Sequence, residues 1–118
     1  MIKLDYSYTT LNEYIAKERS NRYSAAKIKR DEGYATQLLL RGYDKIDVPC
    51  GLRFIWHRKH KRHDLDNVSF GAKIILDAMV KVGILRNDNL TCITRLEHVA
   101  MFGDKEYVEI EKINKEEL

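Results

Sequence analysis

The sequence has 118 residues, 44% of them hydrophobic and 33% charged, which is the balance of a folded globular chain rather than a disordered one. This length predicts a single domain over residues 1–118. The net charge of +3 is too small to indicate a partner by itself. No apolar run approaches the roughly 18 residues that span a bilayer, and no export signal opens the chain. We therefore expect a cytoplasmic protein without a membrane partner, with Cys50 and Cys92 as buried thiols.

The first forty residues predict a strand followed by two helices. Apolar residues alternate with polar ones, the pattern of a half-buried strand, at Ile2, Leu4, Tyr6 and Tyr8. Thr10 and Glu13 have the spacing of a capping box, which predicts that a helix begins at Leu11. The helical pattern runs to Leu40 in two pieces broken near Ser20 and Asn21, and Gly42 is expected to end it.

The rest of the chain predicts a strand, a helix and a hairpin. After Pro49, one face of a strand is expected to be buried, formed by Cys50, Leu52, Phe54 and Trp56. From Asn67 to Val82, apolar spacings of four and three predict an amphipathic helix that Gly83 ends. Two apolar runs, 90–102 and 106–113, flank a Gly-Asp turn signal and predict a hairpin. Without a regular βαβ repeat, the class is α+β, with a small mixed or antiparallel sheet and two or three helices.

A cationic segment leads directly into two carboxylates. Residues 53–63 contain no acid, and their basic side chains are Arg53, His57, Arg58, Lys59, His60, Lys61, Arg62 and His63. On an extended chain, the side chains of Asp64 and Asp66 would project to the same side and could converge on one point. Paired carboxylates repel unless a cation lies between them, and Mg²⁺ or Mn²⁺ prefers such hard oxygen ligands. The segment therefore predicts a metal site beside a phosphate-binding strand, as phosphodiester hydrolysis requires.

Structural roles stay open for the same residues. Asp66 stands just before an apolar stripe, as an N-cap residue does, and Asp64 can simply be solvated. Lys73 can form a salt bridge with Asp77 one helical turn later. The three histidines of the cationic segment raise zinc as an alternative, but no cysteine or fourth ligand has a recognised spacing.

The chain around these residues resembles the RusA family of Holliday junction endonucleases. The similar stretches, in order, are Asp64–Asn67, Lys73–Met79, Gly83–Leu85 and Arg86–Asp88. Leu11–Ile15 and Asn21–Tyr23 are similar to the RusA-like proteins of phages and prophages in Gram-positive bacteria. The resemblance implies a RusA-like fold and a bacterial, phage- or prophage-encoded protein.

The resemblance also implies an activity. The family is a group of homodimeric endodeoxyribonucleases that use Mg²⁺, with Mn²⁺ as the alternative ion and no nucleotide cofactor, to make paired nicks in four-way DNA junctions. Its metal-binding aspartates fall on Asp64, Asp66 and Asp88, and its catalytic lysine falls on Lys73. Together with the cationic segment, this gives the expected DNA contacts Arg22, Arg53, Arg58, Lys59, Lys61, Arg62 and Asn67.

Two departures from the family pattern bear on these expectations. Lys73 lies seven residues after Asp66, where the family has four, which moves the lysine about one helical turn. His63 stands where the family has an arginine, so a phosphate contact there is weaker at neutral pH. Two other functions share the same residues, namely a branched-DNA-binding module without catalysis and a less selective flap or fork nuclease.

The position of Asp88 raises a question about the dimer. A helix from Asn67 to Val82 would be about 24 Å long at 1.5 Å per residue and would carry the chain away from Asp64. Asp88 then reaches the site of its own subunit only if the chain returns nearly straight or the helix is shorter. Otherwise Asp88 would complete the site of the other subunit.

Overall fold

The computed structural model describes residues 1–114 and 116, which contain four strands and four helices. The strands are β1 (Ile2–Leu4), β2 (Cys50–Arg58), β3 (Ile93–Phe102) and β4 (Tyr107–Lys112). The helices are α1 (Leu11–Ser20), α2 (Arg22–Leu39), α3 (Leu65–Val68) and α4 (Gly71–Lys81). The α+β class with a small mixed sheet and three main helices is confirmed, since only α3 is a single turn. No helix among the described residues combines the length and apolarity needed to cross a membrane.

The sheet has the order β1-β4-β2-β3, which corrects the predicted hairpin. The two runs do form strands, but β2 lies between them, parallel to β3 and antiparallel to β4. The connection after β3 crosses the end of β2, where the Gly103 amide donates to the Arg58 carbonyl at 3.0 Å. A turn signal shows that the chain reverses, but it does not show which strand becomes the neighbour. β2 has a buried apolar face and therefore gains most from partners on both edges.

Alternate residues of β2 form the centre of the core, as predicted. The buried face consists of Cys50, Leu52, Phe54 and Trp56, each at most 1% exposed. Ile75 and Met79 of α4 belong to the same core cluster and are fully buried. Burial of each such large side chain contributes roughly 1.5–3 kcal/mol, so β2 and α4 form a rigid frame. The loop between β2 and α4, with α3 inside it, is anchored at both ends by this frame.

The helix boundaries follow the predicted caps. The Thr10 hydroxyl accepts from the Glu13 amide, and the Glu13 carboxylate accepts from the Thr10 amide, so the capping box at α1 is confirmed. Asn21 separates α1 from α2 and caps the second with a hydrogen bond that Asn21 Oδ1 accepts from the Tyr23 amide. Gly42 and Gly83 both have a positive φ, 88° and 86°, which allows the chain to leave α2 and α4.

Two predicted elements are shorter than expected. β1 ends at Leu4 because the chain then turns toward the helices, where the buried Tyr8 hydroxyl lies 2.6 Å from Thr36 Oγ1. The helix predicted from Asn67 to Val82 is divided into α3 and α4 by a turn at residues 69–70. α4 starts at Gly71, where an added Cβ would lie 2.8 Å from the Tyr8 Cβ and 3.3 Å from the Trp56 Cη2. The close approach of α4 to the core therefore depends on a glycine.

Candidate functional site

The two adjacent carboxylates stand at the start of α3. Asp64 is the N-cap residue with an extended backbone, and its carbonyl accepts from the amides of Asn67 and Val68, both at 3.1 Å. Asp66 lies in the first turn of the helix, and both aspartates are exposed. The N-cap position thus belongs to Asp64, not to Asp66 as one structural alternative had it. The extended geometry predicted for residues 64–66 is wrong as well, because α3 already begins at Leu65.

The Asn67 side chain connects this turn to the start of α1 and to the loop before α3. Its side-chain oxygen accepts a 2.8 Å hydrogen bond from the Asn12 amide at the start of α1, and its side-chain nitrogen lies 3.4 Å from His63 Nδ1. Tyr14 of α1 packs against Phe70 with ring centroids 5.1 Å apart. Asn67 is only 7% exposed, so its role in the structure is to position α3, whereas it was expected to contact DNA.

Lys73 and Asp88 meet on the same side of α4. Lys73 Nζ lies 2.9 Å from Asp77 Oδ1, which confirms the salt bridge that the spacing allowed, and 3.6 Å from Asp88 Oδ2. The hydrogen bond that Lys73 donates to Asp77, with a further contribution from Asp88, raises the pKa of Lys73. Lys73 is therefore a cation at neutral pH and not a base. Asn87 holds the loop, because its side-chain oxygen accepts from the Asp88 amide at 2.7 Å.

The carboxylates expected to bind metal are not gathered into one cluster. Among residues 1–114 and 116, no group of three or more histidine, cysteine, aspartate or glutamate side chains is placed to hold a metal ion. The donor set nevertheless suits Mg²⁺, which usually keeps several waters and takes one or two protein carboxylates together with substrate phosphate oxygens. Asp64 and Asp66, exposed at one helix start, are carboxylates of this kind.

The cationic segment divides into buried and exposed parts. Arg53 lies on the sheet between two glutamates, 3.3 Å from Glu97 and 2.7 Å from Glu111. Arg58 is 8% exposed and lies 3.6 Å from Glu106, so both arginines are engaged within the fold. The exposed cations of the segment, which we name the cationic loop, are Lys59, Lys61 and Arg62. This loop leads directly to Asp64, so the predicted succession of cations and carboxylates is present on the surface.

Sequence reasoning missed most of a second cationic surface. Residues 17–30, which we name the α1–α2 tip, include the end of α1 and the first half of α2. Its six cations are all exposed, and they are Lys17, Arg19, Arg22, Lys27, Lys29 and Arg30. Glu18 is the single acid in the segment, so the signal was visible as a charge run. Of these six cations, only Arg22 is among the DNA contacts expected from the sequence.

Comparison of the chain with protein-family models and with curated protein sequences found no match.

Proposed function

We propose that the protein is a metal-dependent endodeoxyribonuclease that cuts branched DNA, with the four-way junction as its main substrate. The observation that carries this proposal is the direct succession of the cationic loop and the exposed carboxylates of Asp64 and Asp66. Cations attract DNA phosphates without regard to base sequence. Because the carboxylates follow Arg62 within a few residues, a phosphate held by the loop lies close to the groups that would bring a metal ion to it.

The residues of the site divide the chemistry between them. Asp64 and Asp66 would hold Mg²⁺, with Asp88 as the third carboxylate. The bound ion would polarise a phosphoryl oxygen and lower the pKa of its water. Lys73 is a cation at neutral pH, as lysine ordinarily is, and its side chain is 68% exposed, so it can face a phosphate oxygen. Asp77 and Asp88 orient that ammonium group from two sides.

The edge strand β3 supports the proposed homodimer. β3 is ten residues long and pairs through one edge with β2, and its apolar side chains are 40–50% exposed at Leu96, Val99, Met101 and Phe102. A long edge strand with exposed apolar side chains is a template for pairing with another chain. A second copy would fit it, since antiparallel pairing of two β3 strands about Leu96 would bring the Arg95–Glu97 ion pair of one copy, 3.0 Å long within its own chain, against the same pair of the other.

This dimer would place the two sites beyond the two ends of the paired strands. α3 contacts β3, and Lys61 Nζ of the cationic loop lies 5.2 Å from the Phe102 ring centroid. Two copies joined along β3 would therefore present two cationic loops and two carboxylate pairs around one two-fold axis. Such an arrangement suits a substrate that needs two symmetric cuts.

A second candidate function is a DNA-binding module without catalysis. The salt bridges that join Lys73 to Asp77 and Asp88 favour it, because they give the lysine and one of the three aspartates a structural role. In that case the cationic loop would bind phosphates and the carboxylates would only shape the turn.

Cleavage assays on matched substrates separate these functions. Four-way, flap and linear DNA of the same length should be incubated with Mg²⁺, with Mn²⁺ and with a chelator. The proposal expects paired nicks in the four-way junction that the chelator abolishes. Equal cutting of flaps would indicate a less selective nuclease, and tight junction binding without nicks under any condition would indicate the binding module.

A further inference from the structure

The α1–α2 tip is the most positive part of the molecule that the carboxylate site does not use. Six exposed cations against one acid give it a net charge of +5, whereas the whole chain carries +3. The remainder of the chain therefore carries −2. Such a concentration of one sign within fourteen consecutive residues creates a local field that attracts polyanions.

The backbone gathers these cations around a single turn. Asn21 is both the last cap of α1 and the first cap of α2, with an extended backbone at φ −166° and ψ 108°. Its amide donates to the Lys17 carbonyl at 2.7 Å, and its side chain accepts from Tyr23, so the change of direction is fixed at one residue. Within the tip, Ala25 is the buried residue, and every residue of α1 is at least partly exposed. The tip is thus an exposed corner of the fold, in which Lys29 Nζ also lies 4.9 Å from the Tyr14 ring centroid and Arg30 Nε lies 3.8 Å from Asp31 Oδ1.

An aromatic side chain is exposed at the same corner. Tyr23, in the first turn of α2, is 75% exposed, more than Tyr34 at 60% or Phe102 at 50%. A single exposed apolar residue is ordinary on a protein surface. An aromatic ring among cations is instead the combination that binds single-stranded nucleic acid, because bases stack on the ring while phosphates pair with the cations. An acidic peptide would use the charges but would leave the ring without a function.

The other end of α1 is attached to the carboxylate site. The Asn12 amide donates to Asn67 within α3, and Tyr14 packs against Phe70 just after α3. Because α1 has ten residues at about 1.5 Å each, the Asn21 end of the tip lies about 15 Å along the helix from the end that contacts α3, whereas Lys29 of α2 returns to 4.9 Å from the Tyr14 ring centroid. At about 3.4 Å per base pair, the distance of about 15 Å corresponds to roughly four base pairs of duplex. A DNA molecule cut at the carboxylates could therefore touch the tip at the same time.

We propose that the α1–α2 tip is a second nucleic-acid contact, in which its cations hold backbone phosphates and Tyr23 stacks on an unpaired base. We place this unpaired base beside the branch point of the DNA, a position that rests on the proposed nuclease function. The tip then adds to the selection of branched DNA, since an intact duplex offers no free base face to Tyr23.

Binding to a single-stranded oligonucleotide tests the contact without any need for cleavage. Affinity for a fluorescent oligothymidine should be measured without metal for the wild type, Tyr23→Ala, Tyr23→Phe and Tyr34→Ala. The expected result is a roughly 5- to 150-fold loss for Tyr23→Ala, with near wild-type binding for the other two variants. Tyr34 is a matched control because it is an exposed tyrosine on the same helix, outside the tip. Wild-type binding by Tyr23→Ala would overturn the stacking role.

The cations are tested through the salt dependence of the same binding. Replacing Arg19, Arg22 and Lys27 by alanine should reduce the slope of log affinity against log salt by about 2, at about 0.7 per phosphate contact on a single strand. The control replaces exposed cations elsewhere, at Arg41, Lys45 and Lys112, and should leave the slope unchanged. Equal slopes for both triple variants would overturn a dedicated nucleic-acid surface. The same conclusion would follow if the wild type bound polyglutamate as tightly as it binds the oligothymidine. If Tyr23→Ala loses binding while no DNA is ever cut, the tip stands and the nuclease proposal fails.

Discussion

Lys73 Nζ lies 3.6 Å from Asp88 Oδ2, and this ion pair joins the first turn of α4 to the loop that follows the helix. Asp88 has therefore returned along α4 toward the end at which α3 and its carboxylates lie. The chain can make this return because α4 is shorter than the predicted helix. It begins at Gly71 instead of Asn67 and ends at Lys81 instead of Val82. This relationship supports an arrangement in which Asp88 serves the site of its own subunit.

Mixing two inactive variants tests the assignment of Asp88 to its own subunit. If Asp64→Asn and Asp88→Asn are each inactive, a heterodimer with own-chain sites carries one defect in each site. We expect the mixture to remain inactive in a junction-nicking assay. If Asp88 acted across the dimer, one heterodimer site would collect both defects and the other would be intact. The reappearance of single nicks would thus contradict the own-chain arrangement.

The cationic loop and the sheet arginine should behave differently when they are replaced. Alanine at Lys59, Lys61 and Arg62 should weaken junction binding and flatten its salt dependence, because fewer counterions leave the DNA. Arg53→Ala should leave that slope unchanged and should lower the free energy of unfolding, because Glu97 and Glu111 lose their common partner. A flattened slope for Arg53→Ala, or an unchanged slope for the loop variant, would place the DNA on another surface.

Two glycines in helices should respond to alanine with opposite signs. At Gly71 the added Cβ would lie 2.8 Å from the Tyr8 Cβ, so Gly71→Ala should destabilise the fold by about 1–3 kcal/mol. At Gly33, within α2, no described atom lies within 4 Å of the added Cβ, so Gly33→Ala should stabilise the fold by about 0.5–1 kcal/mol. Chemical unfolding of the two variants beside the wild type measures both. Equal effects would mean that α4 does not pack against Tyr8 as described.

Two valines with the same exposure test the proposed dimer surface. Val99 on β3 and Val82 after α4 are each 40% exposed, but only Val99 lies on the edge strand. Val99→Lys should shift the protein toward monomer in light scattering, because it would place a charge in the apolar contact between two copies. Val82→Lys should leave the mass unchanged. A wild-type protein that is monomeric at every concentration would contradict the dimer itself.

The sequence predicted local structure well where local interactions decide it. The Thr10–Glu13 capping box, the break at Asn21 and the buried face of β2 all depend on neighbouring residues, and all three are confirmed. β3 and β4 each pair with β2 and not with each other. The turn residues Gly103 and Asp104 do not reveal this arrangement, because it depends on which strand is buried at the centre of the sheet. The split between α3 and α4 was missed because the apolar stripe from Val68 through Ala72 continues across it.

The candidate site was predictable as a set of residues more than as a geometry. The contact between Lys73 and Asp88 depends on how the chain returns after Gly83, whereas the resemblance implies only that both residues belong to one site. The sequence predicts DNA contacts at Arg53, Arg58 and Asn67 because it does not reveal their partners in the fold. Those partners, Glu111, Glu106 and the Asn12 amide, are distant in sequence. Charge runs indicate cations, but only the fold shows which of them are already paired.

Nicking of a four-way junction by Asp66→Asn is the measurement that tests the central proposal most directly. The variant keeps the shape of α3 and removes one of the two exposed carboxylates, while Asp44→Asn provides a control at an exposed aspartate in the loop before β2. We expect the wild type and Asp44→Asn to nick the junction in the presence of Mg²⁺. Asp66→Asn should bind the junction as tightly or more tightly, because repulsion of the phosphates falls, yet should not cut it. If Asp66→Asn nicks the junction at the wild-type rate, Asp66 is not a metal ligand and the proposed site is wrong.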